Sequence, residues 1–391
     1  MLHGPFSPWP SFTQEEAEAV SRVLLSNKVN YWTGQECREF EREFAEFAGT
    51  NYAVAVANGT VALDLALKGL GIGPGDEVIV TSRTFLASVT CIVNAGAWPV
   101  FADVDVDSQG ITAETVAPLI TKNTKAIIAV HLAGWPCDMD GLNELACRHE
   151  LSVIEDCAQA HGATYKGKPV GSLGHVAAWS FCQDKIMTTG GEGGMVTTND
   201  RELWSRMWAY KDHGKSWEAV YEREHAPGFR WLHESFGTNW RMTEMQAAIG
   251  RIQLRRMPDW TERRRANCDA IWQAVRECKG LRVPDVLEFI GHSGYKCYVF
   301  IKPEALKPGW SRDRVIQAVV NAGVPCFSGS CSEVYFEKAI QNAGMAPVKR
   351  LPVAKELGET SLMFLVHPTL TADEMSLTVE VVSRVMEEAT A

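Results

Sequence analysis

Short apolar runs alternate with helical patterns between residues 53 and 156. Each run has the length of a strand, and the segments between them carry apolar residues at helical spacing. Strands that are apolar on both faces and separated by helices indicate a buried, mainly parallel sheet covered by helices. The predicted strands are residues 53–57, 77–81, 99–103, 126–130 and 152–156.

Two polar helical segments precede this alternation. The first follows the cap candidates Ser11 and Thr13, and the second ends at Gly49. Between them lie Tyr31 and Trp32, two aromatic residues of a loop that we expect to be exposed.

The last third of the chain has strands and helices of its own. Strands are predicted at residues 298–302 and 362–366, and helices at 312–322 and 372–388. We therefore predict an α/β protein with a large domain at residues 1–250 and a smaller C-terminal α+β domain at residues 251–391. A long charged helix connects them, and a solvated face is the simpler interpretation of its arginines, which are Arg255, Arg256, Arg263, Arg264 and Arg265.

Composition narrows the class of protein. The chain has 391 residues, of which 46% are hydrophobic and 22% charged, as in ordinary globular proteins. A net charge of −10 argues against a nucleic-acid partner, and no apolar run is long enough to span a membrane. The 11 cysteines form no C-x-x-C pair and residues 1–6 lack signal-peptide character, so we expect a cytoplasmic protein without a metal site.

In parallel sheets, ligands bind at the carboxyl ends of the strands, so the residues that follow each strand are the candidates for chemistry. The turn Asn58-Gly59-Thr60 leads from a strand into a helix, where backbone amides and the positive helix end favour an anion. Asp156 ends another strand, with Gln159 three residues later, and such a carboxylate can pair with a protonated ring nitrogen. Taken alone, an ordinary helix cap explains either feature.

Two further candidates follow apolar stretches. Lys185 precedes a glycine-rich segment at residues 190–194, and a partly buried lysine can form a Schiff base with a carbonyl. Phe85 follows the strand at residues 77–81, where its ring can lie over an aromatic cofactor. Taken alone, Lys185 can also be a surface lysine and Phe85 a core residue. The phosphate-loop pattern G-x-x-x-x-G-K-[ST] does not occur.

The order of these features resembles the type I fold of pyridoxal-phosphate aminotransferases and, more narrowly, the DegT/StrS family of sugar aminotransferases. The resemblance runs nearly end to end, and Lys185 follows Asp156 at the family's spacing. Asn58, where the family often has Ser, and the less usual stretch at residues 182–184 depart from the pattern. The matching segments are residues 57–63, 84–88, 155–162, Ser180-Phe181, Lys185, 191–194 and 237–248.

The resemblance implies a role for each candidate. Lys185 is expected to hold pyridoxal phosphate in a Schiff base and to move the proton, and Asp156 to keep the pyridine nitrogen protonated. Gln159 is expected near the phenolic oxygen of the ring, and Phe85 against its face. The phosphate is expected to bind the amides of Gly59 and Thr60, the Ser180 hydroxyl, and Asn239 of the other subunit of a homodimer with shared active sites.

The activity implied is transfer of an amino group from an amino acid, glutamate by expectation, to a nucleotide-linked keto-sugar in amino-sugar or polysaccharide biosynthesis. A keto-cyclitol or another antibiotic precursor is the alternative acceptor. A sugar dehydratase of this family has His in place of the lysine, and a non-catalytic sensor is expected to lack Lys185 or Asp156, so both alternatives are disfavoured.

By analogy, substrate contacts are expected near Tyr31 and Trp32, at residues 211–214 and at residues 295–298. The sequence leaves open the sugar, its nucleotide, the carbon aminated and the stereochemistry.

Overall fold

The computed structural model describes residues 6–390. Residues 1–5, part of the segment on which the absence of a signal peptide was argued, and Ala391 lie outside the described residues. The strands are β1 (Tyr52–Val56), β2 (Glu77–Thr81), β3 (Trp98–Ala102), β4 (Thr124–Val130), β5 (Ser152–Asp156), β6 (Thr164–Tyr165), β7 (Lys168–Pro169), β8 (Val176–Ser180), β9 (Gly194–Thr198), β10 (Leu281–Arg282), β11 (Ile290–Gly291), β12 (Cys297–Ile301), β13 (Cys326–Phe327) and β14 (Ser361–Phe364).

Helices surround these strands and connect them. They are α1 (Gln14–Leu25), α2 (Glu36–Ala48), α3 (Gly59–Gly69), α4 (Ala87–Asn94), α5 (Ala113–Val116), α6 (Met139–His149), α7 (Arg201–Tyr210), α8 (Trp217–Tyr221), α9 (Glu244–Val275), α10 (Arg312–Asn321), α11 (Lys338–Asn342), α12 (Pro352–Thr360) and α13 (Ala372–Ala389).

A seven-stranded sheet in the order β1-β9-β8-β5-β4-β2-β3 forms the centre of the protein. Only β9 runs against the others, because it pairs antiparallel with both β1 and β8. The predicted α/β architecture is confirmed, and the five expected strands appear within two residues of their predicted bounds. β9 itself was not predicted, because it begins at Gly194, the last residue of the glycine-rich segment at residues 190–194.

The C-terminal third forms a second sheet in the order β10-β12-β14-β13, against which α10 and α12 pack. A third, small sheet joins β11 to β6 and so ties this region to the large one. The division at residues 250 and 251 stays a prediction, and on the structure it falls inside α9. None of the helices within residues 6–390 is long and apolar enough to cross a membrane.

Two surface expectations were wrong. Tyr31 is 1% exposed, because its hydroxyl donates to Glu41 at 3.0 Å and accepts from the indole of Trp208 at 3.0 Å. Arg264 is also 1% exposed and lies on the inner side of α9, where its guanidinium faces the backbone carbonyls of Gly294 and Tyr295. A charge run along a helix therefore did not reveal which of its arginines points inward.

Candidate active site

Four strands of the central sheet bring the predicted residues to one cavity. β1, β2, β5 and β8 run in the same direction, so their carboxyl ends lie at the same edge of the sheet. The cavity at this edge has a volume of about 660 Å³. Its lining includes Asn58, Gly59, Thr60, Phe85, Asp156, Gln159, Ser180, Cys182, Asp184 and Lys185.

The turn after β1 provides a site for an anion. Asn58 caps α3, because its side-chain oxygen accepts the amide of Val61 at 3.0 Å. The first amides of a helix have no acceptor within it, so those of Gly59 and Thr60 are available to a ligand. A side chain at Gly59 would place its Cβ 2.5 Å from the Cβ of Ser180, so glycine is required for this close approach.

Asp156 is a buried carboxylate at the end of β5, with a side chain held by two hydrogen bonds. It is 5% exposed, and it accepts the Ser88 hydroxyl at 2.8 Å and the Ala158 amide at 3.1 Å. Burial raises the pKa of Asp156, while these two hydrogen bonds act in the opposite direction. The Ser88 hydroxyl is in turn 2.8 Å from the hydroxyl of Thr84, four residues earlier in the chain.

Three buried residues near Asp156, which are His131, Glu155 and Cys157, form a cluster of their own. One ligand atom each from His131, Glu155 and Cys157 lie within 4.8 Å of one another, a spacing that could suit a metal ion. The Glu155 carboxylate, however, already contacts the His131 ring at 3.0 Å and accepts three backbone amides from residues 171–174. Glu155 therefore anchors that loop, and its hydrogen bonds explain the cluster without a metal.

Lys185 lies at the boundary between this cavity and a second one of about 510 Å³. Its ammonium is 5.4 Å from the centre of the Tyr295 ring. The Tyr295 hydroxyl donates to Asp184 at 2.5 Å. Burial favours the neutral acid, but the charge of Lys185 and this hydrogen bond lower the pKa of Asp184.

Gln159 and Phe85 also line this cavity. The side-chain oxygen of Gln159 accepts the amide of Ala133 at 2.8 Å, which leaves its amide nitrogen as the group able to donate to a ligand. Phe85 remains 70% exposed, so one face of its ring is available at the mouth of the cavity. The sequence alone assigns no role to Ser88, although it belongs, like Thr84, to the segment at residues 84–88 that follows β2.

Asn239 does not line the cavity of its own chain, and its side chain is exposed. Its segment nevertheless runs beside the end of β1, since the carbonyl of Trp240 accepts the amide of Ala57 at 2.8 Å. Of the expected substrate contacts, Tyr295 and Lys296 line the second cavity. Tyr31 and Lys211 are instead buried against each other, with the lysine ammonium 3.4 Å from the centre of the ring.

Solved structures share this fold along nearly the whole chain. The aminotransferase from Psychrobacter cryohalolentis is 65% identical, with a TM-score of 0.96 over 98% of this chain and 99% of that one. DesV from S. venezuelae, solved in complex with a ketimine intermediate, is 33% identical, with a TM-score of 0.86 over 98% and 99% of the two chains. The fold and the strand-end cavity thus define an aminotransferase with the fold of the pyridoxal-phosphate-dependent enzymes.

Residues 10–383 match the model of the DegT/DnrJ/EryC1/StrS aminotransferase family, and the chain belongs to that family. Among curated relatives, GDP-perosamine synthase from Escherichia coli O157:H7 is 44% identical over 264 residues. That alignment covers 66% of this chain and 68% of the relative. The expected family and the expected enzyme class are therefore confirmed.

Proposed function

We propose that this aminotransferase uses pyridoxal phosphate to move an amino group from glutamate to a nucleotide-linked keto-sugar. The product would be an amino sugar for a surface polysaccharide. The observation that carries the proposal is the shared cavity in which Lys185 and the buried carboxylate of Asp156 lie beside the glycine start of α3.

The lining of this cavity fits pyridoxal phosphate. The free amides at the start of α3 and the hydroxyl of Ser180 suit a phosphate, and the buried Asp156 suits a protonated ring nitrogen. The exposed ring of Phe85 suits the face of a heterocycle, and the amide nitrogen of Gln159 suits its phenolic oxygen. Lys185 is the amine at this cavity that can bind the aldehyde covalently.

Two of these residues, Lys185 and Asp156, would handle protons. Bound pyridoxal phosphate supplies an electron sink for the charge that develops when the donor loses its α-proton. With that group bound, the Lys185 amine would remove the proton and later deliver it. The Asp156 carboxylate would keep a proton on the ring nitrogen, because a buried anion is stabilised by a neighbouring cation.

The lining of the second cavity suits a substrate with negative charge. It adjoins the first at Lys185 and extends between Tyr295, Lys296 and Ser330. Burial lowers the pKa of Lys296 to about 8, so its ammonium is still mostly charged at neutral pH. The carboxylates of glutamate and the diphosphate of a nucleotide sugar both carry the charge that this ammonium attracts. The relative named as a GDP-perosamine synthase supports the nucleotide-linked acceptor.

A homodimer and a cytoplasmic location are part of the proposal. Phe229, Trp231 and Phe236 are 77%, 79% and 99% exposed on one chain, and a partner subunit would cover such a patch. The exposed Asn239 would then reach the phosphate site of the partner. The cysteines within residues 6–390 are all free, which suits a reducing compartment.

Lys185 should carry the cofactor. Borohydride treatment of the purified holoprotein should fix pyridoxal phosphate on this residue, and peptide mapping by mass spectrometry should locate it there. Lys185→Ala should remain folded, because the side chain is only partly buried, and should lose turnover. A label on any other lysine would contradict the assignment.

Asp156→Asn should lower the catalytic rate far more than it weakens the binding of pyridoxal phosphate. A neutral amide cannot hold the ring nitrogen protonated, so kcat should fall by about 100-fold or more, while pyridoxal phosphate still binds through its phosphate contacts. Steady-state kinetics and a cofactor-binding titration measure the two effects separately. Near-normal kcat in this variant would show that Asp156 does not face the ring nitrogen.

The acceptor is tested by loading the enzyme with pyridoxamine phosphate and adding nucleotide-linked 3-keto and 4-keto sugars in turn. The true acceptor should restore the absorbance of the aldehyde form bound to Lys185, and glutamate should reverse the change. A keto-cyclitol is added to the same form of the enzyme in a parallel experiment. Restoration by the cyclitol and by none of the sugars would replace the proposed acceptor with that alternative.

Shared active sites are tested by mixing inactive Lys185→Ala with inactive Asn239→Ala under conditions of subunit exchange. A mixed dimer should have one doubly damaged site and one intact site, so about half the normal activity per mixed dimer should return. The matched control mixes Lys185→Ala with Asp156→Asn, whose lesions both damage their own subunit's site, and should stay inactive. If exchange is confirmed by mass and activity stays absent in the first mixture, Asn239 serves its own subunit.

A further inference from the structure

The N-terminal arm, residues 7–10, reaches the backbone of the candidate catalytic lysine. The indole N–H of Trp9 donates to the carbonyl oxygen of Lys185 at 2.8 Å. On its other side, the Lys185 amide donates to the carbonyl of Cys182 at 3.1 Å. The lysine backbone is therefore held at both of its polar groups, once by its own loop and once by the arm.

The Trp9 ring is fixed by its neighbours. It packs edge-on against Trp260 with 5.1 Å between ring centres, and it stacks on His367 at 6.0 Å. The guanidinium carbon of the buried Arg264 lies 4.8 Å from the ring centre. Since these three groups constrain the ring on several sides, the direction of its N–H is set by packing as well as by the hydrogen bond.

The C-terminal region holds the rest of the arm. Ser7 donates its amide and its hydroxyl to the Glu374 carboxylate at the start of α13. The hydroxyl of Thr369 donates to the carbonyl of Pro8 at 2.8 Å. The arm thus forms a chain of contacts from α13 to the loop that carries Lys185.

We propose that Trp9 is a positioning residue that orients the Lys185 side chain by fixing the carbonyl of the lysine. The peptide unit after Lys185 cannot rotate without breaking the indole hydrogen bond, so the backbone from which the lysine side chain extends keeps its orientation at the boundary of the two cavities. This inference rests on the proposed function, because it assigns Lys185 the covalent contact with pyridoxal phosphate.

Trp9→Phe removes the N–H and keeps an aromatic ring. The rate of covalent capture of added pyridoxal phosphate by the apoprotein, followed by borohydride quench and mass spectrometry of Lys185, should fall about fivefold, the change expected for one lost hydrogen bond. kcat should fall by a similar factor while the KM values for donor and acceptor stay within about twofold. The matched control is Trp260→Phe, which keeps an aromatic ring against Trp9 and leaves the Trp9 N–H in place, so both rates should stay within about twofold of normal.

Equal losses in the two variants, or a change confined to thermal stability, would overturn the positioning role. If Trp9→Phe fails to fold, replacement of Trp9 by 3-benzothienylalanine keeps the two-ring shape and puts a sulfur atom, which cannot donate, in place of the N–H. Normal capture in that protein would also overturn the proposal. Failure of the proposed function has a different signature, because the wild-type protein would then capture no pyridoxal phosphate on Lys185.

Discussion

A carboxylate buried at the end of β5 is the constraint on which the rest of the site depends. Asp156 is 5% exposed, and an ionised group away from water is costly unless it is paired. Ser88 and the amide of Ala158 offset part of that cost, yet the pKa of Asp156 stays raised by burial. A cationic group in the cavity would offset more of it, so the buried carboxylate favours a ligand that carries a positive charge.

The sheet supplies the other groups of the candidate site, because the carboxyl ends of its parallel strands lie at the same edge. The start of α3 offers amides after β1, Phe85 follows β2, and Ser180 ends β8. Close packing of Gly59 on Ser180 brings two of these ends within reach of one ligand. Lys185 then lines both cavities, one that fits the proposed cofactor and one that fits the proposed substrate. The arrangement of the candidate site is thus a consequence of strand direction and of one glycine.

Much of this could be predicted from the sequence, because apolar strands and strand-end motifs are local signals. Asp156 and Lys185 were singled out in this way and lie at one cavity, while their roles stay predictions. The fold class followed from the alternation that precedes them. The inward orientation of Arg264 could not be found, since it depends on α9 packing against the turn at Gly294. The contact between Trp9 and Lys185 spans 176 positions, and no periodicity in the sequence connects residues so far apart. The support of Asp156 by Ser88, 68 positions away, is hidden for the same reason.

The protonation state of the cofactor ring tests the central claim most directly. Pyridoxal phosphate labelled with ¹⁵N at the ring can be bound to the wild-type protein and its nitrogen chemical shift measured from pH 6 to pH 9. The account predicts the shift of a protonated pyridinium across this range, because the buried Asp156 holds the proton. A neutral pyridine shift in the wild-type protein at neutral pH would contradict the pairing of Asp156 with the ring.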